Sequence, residues 1–207
     1  PHWHTYWRNP GDSGLATQLS WTLPDGLKAG DIIWPTPKKI AIGSLTNYGF
    51  EGSNLLVVPI QIARDFKVLE SLDVILQAQW LVCRQECIPQ DGRFSLRLAT
   101  NGATASHTPL FESALRLQAR ALAPQPGQTE ARVSQQGQRL QLRVSGLPAD
   151  WQGRNLNWFP ITPEIVSNSG QESRDWTQSW KGGVWAAELP VSPERSEKPA
   201  ALEWLLT

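Results

Sequence analysis

The stretch over residues 72–82, LDVILQAQWLV, puts Leu72, Val74, Leu76, Ala78 and Trp80 at every second position. Successive side chains of an extended chain point to opposite faces, so this run specifies a strand with one apolar side. The alternation returns at residues 93–100, which group Phe94, Leu96 and Leu98, and at 139–145, which group Leu140, Leu142 and Val144. A chain built from such segments must stack sheets to cover their apolar faces.

Weaker strand signals lie at residues 15–23, 31–34 and 55–62, and Pro59 makes the last an edge or a bulge. NLNWFPI, DWTQSW, VWAAELPV and ALEWLL add short strands in the second half. Pro24-Asp25-Gly26 and Pro35-Thr36-Pro37 punctuate the first half as turns. One short helix is expected at 110–121, where Phe111, Ala114, Leu115 and Gln118 fall at helical spacing behind Thr108-Pro109. Residues 122–130 are rich in Pro, Gly and Gln and carry no apolar period, so they read as a linker. The sequence thus predicts an all-β chain of two tandem β-sandwich domains, 1–121 and 131–207, with one short helix. A lone mixed sandwich is the alternative if 122–130 is a crossing connection.

The 19 basic and 19 acidic residues cancel, which offers no basic surface for nucleic acid or for an acidic membrane. No apolar run reaches the roughly 18 residues of a spanning helix, so a soluble chain is expected. It opens on Pro1 without a charged-then-apolar leader, as expected of a processed or excised chain. Eleven tryptophans against two tyrosines and no methionine supply large rigid side chains, either for β cores or for a contact surface.

The only two cysteines, Cys83 and Cys87, directly follow the strongest strand. Extended residues at that spacing lie about 13 Å apart, whereas a disulfide needs Cα atoms within about 7 Å. A bonded pair therefore requires a sharp turn, with Arg84-Gln85-Glu86 at its exposed tip. Closing so short a loop contributes only about 2 kcal/mol by chain entropy, and short, exposed disulfides tend to be the labile ones. Redox use and a structural staple both remain open on spacing. A metal site is the weaker reading, because His2, His4 and His107 lack zinc-ligand spacing, although two thiolates suit Cu(I). Arg84 favours a thiolate and Glu86 opposes it. The thioredoxin arrangement is excluded: the spacing is a residue longer than Cys-x-x-Cys, and Pro89 with Asp91-Gly92 points to a turn rather than a helix.

PHWHTYWRNPGDSG, WTLPDGL, NYGFEG, WLVCRQECIP and WFPITPEIV together resemble the N-terminal periplasmic domain of the DsbD/ScsB family of membrane thiol–disulfide reductases, ScsB-like members more closely. The resemblance implies an immunoglobulin-like domain whose redox pair is Cys83 and Cys87, with Cys87 facing the partner. It implies electrons supplied by membrane-embedded and thioredoxin-like domains of the same polypeptide, and periplasmic thioredoxin-fold disulfide proteins as their recipients. The implied location is the periplasm, as the soluble part of an inner-membrane protein. No cofactor is implied, since the exchange is thiolate chemistry. The family's aromatic cap loop, which shields the cysteines, corresponds to Asn47, Tyr48, Gly49, Phe50 and Glu51. DsbD itself has a longer cysteine spacing and carboxylates ahead of its cap aromatics; Thr46 and Asn47 stand here, with Glu51 or Glu86 as substitutes. Two rival expectations are a copper-binding module using Cys83, Cys87, His2 and His4, and a secreted interaction module with a structural disulfide.

Overall fold

The computed structural model describes residues 2–67, 70–102, 107–119, 122, 129–196 and 199–207. Its strands are β1 (His4–Gly11), β2 (Gln18–Thr22), β3 (Leu27–Ala29), β4 (Lys38–Ile42), β5 (Leu45–Glu51), β6 (Ile60–Ile62), β7 (Ser71–Cys83) and β8 (Cys87–Ala99). Helix α1 (Thr108–Arg116) follows. Then come β9 (Glu130–Gln136), β10 (Arg139–Ser145), β11 (Trp158–Pro160), β12 (Thr177–Lys181), β13 (Val184–Pro190) and β14 (Trp204–Leu206). The architecture is all-β with one short helix, as the alternation predicts.

The chain divides into two compact units. The first comprises Pro1–Pro10, Gly14–Lys39 and Tyr48–Ala119; the second comprises Gly11–Ser13, Ile40–Asn47 and Arg120–Thr207. Most of the expected linker, 123–128, lies outside the described residues.

A six-stranded sheet dominates the first half of the chain, in the order β2-β7-β1-β5-β4 with β8 on the other strand edge of β7. Strands β7 and β8, 13 residues each, pair along their whole length from Ser71↔Ala99 to Cys83↔Cys87. The turn expected at Pro89 and Asp91-Gly92 is therefore absent, and β8 begins at Cys87. Pro89 is accommodated because β8 is an edge strand, where a missing N–H breaks no second ladder. A small sheet of β3 and β6 belongs to the same unit.

Three other expectations change. Residues 31–34 form no strand but one bridge, Ile33↔Val57. Residues 55–62 contract to β6. Helix α1 starts at Thr108, with Pro109 in its first turn where no helical N–H is needed, and stops at Arg116. Beyond it, Gln118 bridges Pro35, and the Leu117 carbonyl accepts from the Thr36 N–H at 3.1 Å and hydroxyl at 2.9 Å. Those bonds turn the chain into an extended pairing; residues 120–121 lie outside the described set.

The second unit is a sandwich: the sheet β12-β13-β10-β9 and the ribbon β11-β14 enclose one core. Leu140, Leu142 and Val144 of β10 and Trp185, Ala187 and Leu189 of β13 point into it at period two. Trp158 meets Trp176 and Trp204 edge-on, with ring centroids 5.6 and 5.8 Å apart. The Trp185 indole N–H donates to Gln178 Oε1 at 2.9 Å, which answers its polar edge inside the core. Trp151 and Trp180 pack against the same cluster, so the tryptophans of this unit are core material rather than a contact surface.

Trp185→Ala is expected to cost about 3–5 kcal/mol, as for large-to-small changes at fully buried aromatics. Phe94→Ala, at a half-exposed ring across from Leu76 on the edge strand, is expected to cost about 0.2–1 kcal/mol, the size of one cross-strand pair. Denaturant unfolding of the two variants checks the pair.

Candidate thiol–disulfide site

Cys83 ends β7 and Cys87 begins β8, and the ladder register sets them directly opposite each other. Arg84, Gln85 and Glu86 make the turn, closed by the Arg84 N–H donating to the Glu86 carbonyl at 3.0 Å. The two sulfurs are bonded, with Cα atoms 4.1 Å apart. A spacing that an extended chain cannot bridge is thus bridged because the hairpin folds back at this point.

The two sulfurs sit in different surroundings. Cys83 is buried, 1% exposed, whereas Cys87 is exposed at the hairpin tip. Tyr6 on β1 reaches across and its hydroxyl lies 3.7 Å from Cys87 Sγ. A disulfide sulfur carries no hydrogen, so the phenol donates. Burial pushes the Tyr6 hydroxyl above its ordinary pKa, so it remains a donor at neutral pH. The same hydrogen bond favours a Cys87 thiolate once the pair is reduced.

Gly14 fixes where that phenol stands. A Cβ on Gly14 would fall 2.2 Å from the Tyr6 ring, and its φ of +100° is one that residues with side chains rarely adopt. The opening segment from Pro10 to Gly14 therefore has a local reason to end in glycine.

His4, two residues before Tyr6, is the register partner of Cys83. Directly opposed residues of neighbouring strands put their side chains on one face, about 4.5–5.5 Å apart at Cβ. His4 is 2% exposed and meets the Tyr6 ring edge-on at 5.2 Å. Its Nε2 has no hydrogen-bond partner, so its bond to the His2 backbone runs through Nδ1–H. Burial holds the imidazole below its ordinary pKa; the His2 bond and the charge of Glu51 partly oppose this. At the rim, the Arg84 guanidinium lies 5.9 Å from the centroid of the Trp3 ring.

The five residues expected as a cap loop lie within a strand. Asn47, Tyr48, Gly49, Phe50 and Glu51 form the greater part of strand β5, and the first four are buried. Packing explains this: a Cβ on Gly49 would meet the Thr5 carbonyl oxygen at 2.1 Å, so only glycine permits so close a strand approach. Asn47 Oδ1 accepts from the Ser13 N–H and hydroxyl, each at 3.1 Å, as a structural residue does. Only Glu51, at the exposed end of β5, acts electrostatically on the site through His4. Glu86 stays in the hairpin turn. Among the described residues, no three His, Cys, Asp or Glu side chains converge as a metal site. Spacing alone does not group His4, Tyr6 and Gly14 around the cysteines. The alternation of His4 and Tyr6 in the first strand was the available signal.

Residues 1–99 match the family "Thiol:disulfide interchange protein DsbD, N-terminal". The fold is similar to the crystal structure of the N-terminal periplasmic domain of ScsB from Proteus mirabilis. That likeness has a TM-score of 0.66 at 20% identity and covers 100% of this chain and 78% of that one. At that identity it shows the fold. No curated protein matches the chain. The DsbD-type match contains both cysteines and the whole of β1.

Replacing Tyr6 by Phe in the Cys83→Ala background is expected to raise the Cys87 thiol pKa by about one, the size of a single hydrogen bond to a thiolate. The pH profile of Cys87 alkylation reads it. An unchanged profile means the phenol does not act on the sulfur.

Proposed function

We propose that this chain is a periplasmic thiol–disulfide exchange module that passes electrons from a membrane-embedded reductase domain to disulfide-bonded partner proteins. The observation that carries the reading is the asymmetric Cys83–Cys87 pair at a hairpin tip within the DsbD-type match. The periplasmic setting and the thioredoxin-fold partners follow the family resemblance and the compartment named for the ScsB domain.

In the reduced module the exposed Cys87 thiolate attacks one sulfur of a partner disulfide. A Cys87–partner mixed disulfide forms and the partner's other sulfur leaves as a thiolate. Cys83 then attacks Cys87 Sγ, which forms the Cys83–Cys87 bond and releases the second partner thiolate. The two partner sulfurs gain two electrons and the module loses two. Re-reduction by the membrane and thioredoxin-like domains of the longer polypeptide resets the pair, with no dissociable cofactor. Reach supports Cys87 as the attacking sulfur, and the Tyr6 phenol supports its thiolate.

Beside the pair, a shallow groove lined by Leu15, Trp80, Leu81, Pro89 and Gln90 offers apolar contact to an incoming chain. Leu81 and Pro89 are opposed on the ladder, on the same hairpin as the disulfide. Residues 130–207 contain no Cys or His, so the second unit has no part in the electron step and serves orientation or partner recognition.

Reduced Cys83→Ala protein, mixed with an oxidised thioredoxin-fold protein, is expected to accumulate a mixed disulfide through Cys87. Cys87→Ala is expected to accumulate none. Non-reducing electrophoresis and mass spectrometry read both, and trapping through Cys83 alone would contradict the assignment.

A further inference from the structure

Within the exchange just described, the two sulfurs face opposite difficulties. Cys87 is exposed and receives a hydrogen bond from Tyr6. Cys83 is 1% exposed, and a buried thiol resists ionisation because its thiolate loses hydration. Resolution of the mixed disulfide nevertheless needs Cys83 as a thiolate. A base must stand beside it, away from bulk water.

His4 meets that need by its place in the sheet. It is the register partner of Cys83 on the adjacent strand, so the two side chains share a face. It is 2% exposed. Its Nε2 is buried without a hydrogen-bond partner, an arrangement native proteins seldom leave without a reason. With Nδ1–H donating to the His2 backbone, the tautomer that leaves Nε2 as a bare acceptor is the one held in place. The groups facing this imidazole are Cys83 from β7, Tyr6 on its own strand and Glu51 from β5. Arg84 at the turn is held over Trp3. Glu51 is thus positioned to stabilise an imidazolium formed in passing, while burial favours return to the neutral ring.

We propose that His4 is the proton acceptor for Cys83 in the resolving step; this rests on the exchange reading above. The Cys83 S–H proton passes to His4 Nε2 as the Cys83 sulfur attacks Cys87 Sγ. The Cys83–Cys87 bond forms, the Cys87–partner bond breaks, and the partner sulfur leaves with the bonding pair as a thiolate. The imidazolium then returns the proton to that thiolate or to solvent. In re-reduction the ring takes up a proton again, from the incoming thiol or from solvent, and passes it to the departing Cys83 sulfur, so one residue serves both directions.

The test uses reduced protein and dithiobis(nitrobenzoate), whose two released thionitrobenzoates report the two steps separately. The first release follows Cys87 attack and the second follows resolution by Cys83. In His4→Gln the second release is expected to slow by about 10- to 100-fold near neutral pH, the range of a lost general base. The first release is expected to stay essentially unchanged, and the gap to close as pH rises and the thiol ionises unaided. A second release at the wild-type rate, or an equal loss in both phases, overturns the proposal. A wild-type protein that releases only one equivalent overturns the exchange reading itself, and this proposal with it. Should His4→Gln not fold, ring nitrogen shifts of His4 in the reduced wild-type protein decide: a bare Nε2 whose titration is coupled to that of Cys83 supports the role, and a fixed Nε2–H tautomer overturns it.

Discussion

The register of one hairpin sets the chemistry of this protein. Strands β7 and β8 pair without a slip from Ser71↔Ala99 to Cys83↔Cys87, and the last rung is the disulfide. A shift by one residue would send one cysteine to the opposite face and leave no bond to make. The register is held by the apolar side of β7, where Leu72, Val74 and Leu76 stand across from Leu98, Leu96 and Phe94. The reactive group is therefore positioned by ordinary cross-strand packing along the length of the ladder, and the turn itself only has to reverse the chain.

A second ladder then distinguishes the sulfurs. Strand β1 lies next to β7 and delivers His4 to Cys83 and Tyr6 to Cys87 from adjacent positions on one face. The exposed sulfur gains a hydrogen-bond donor and the buried one gains a proton acceptor. Gly14, which leaves room for the Tyr6 ring, and Glu51, which acts on His4, tune the same two side chains. Two titratable groups on one strand thus match the two roles that an exchange reaction divides between its cysteines.

What the sequence disclosed follows how each strand is buried. Strands β7 and β10 were legible because one face is covered and the other is not, which writes period two into the residues. Strands β1 and β5 were not legible. Tyr6 and Trp7 are buried in succession, as are Asn47 through Phe50, and burial on both faces erases the alternation. The segment from Asn47 to Glu51, a cap loop by resemblance, lies within strand β5. The first half of β8 was hidden by Pro89 and Gly92, residues that signal turns locally and are tolerated on an edge. The cysteines stood out as a pair that only a sharp turn could bond, and their redox role rested on the resemblance. Their neighbours His4 and Tyr6 did not stand out, because a register between strands distant in sequence leaves no local mark.

The reduction potential of the Cys83–Cys87 pair tests the central claim most directly, measured by alkylation and intact mass across a glutathione redox series. For a pair that works by exchange, a value between about −180 and −270 mV is expected, the range of known exchange proteins. A bond that stays closed down to about −300 mV or below would mark a structural staple and contradict the assignment of electron transfer to this hairpin.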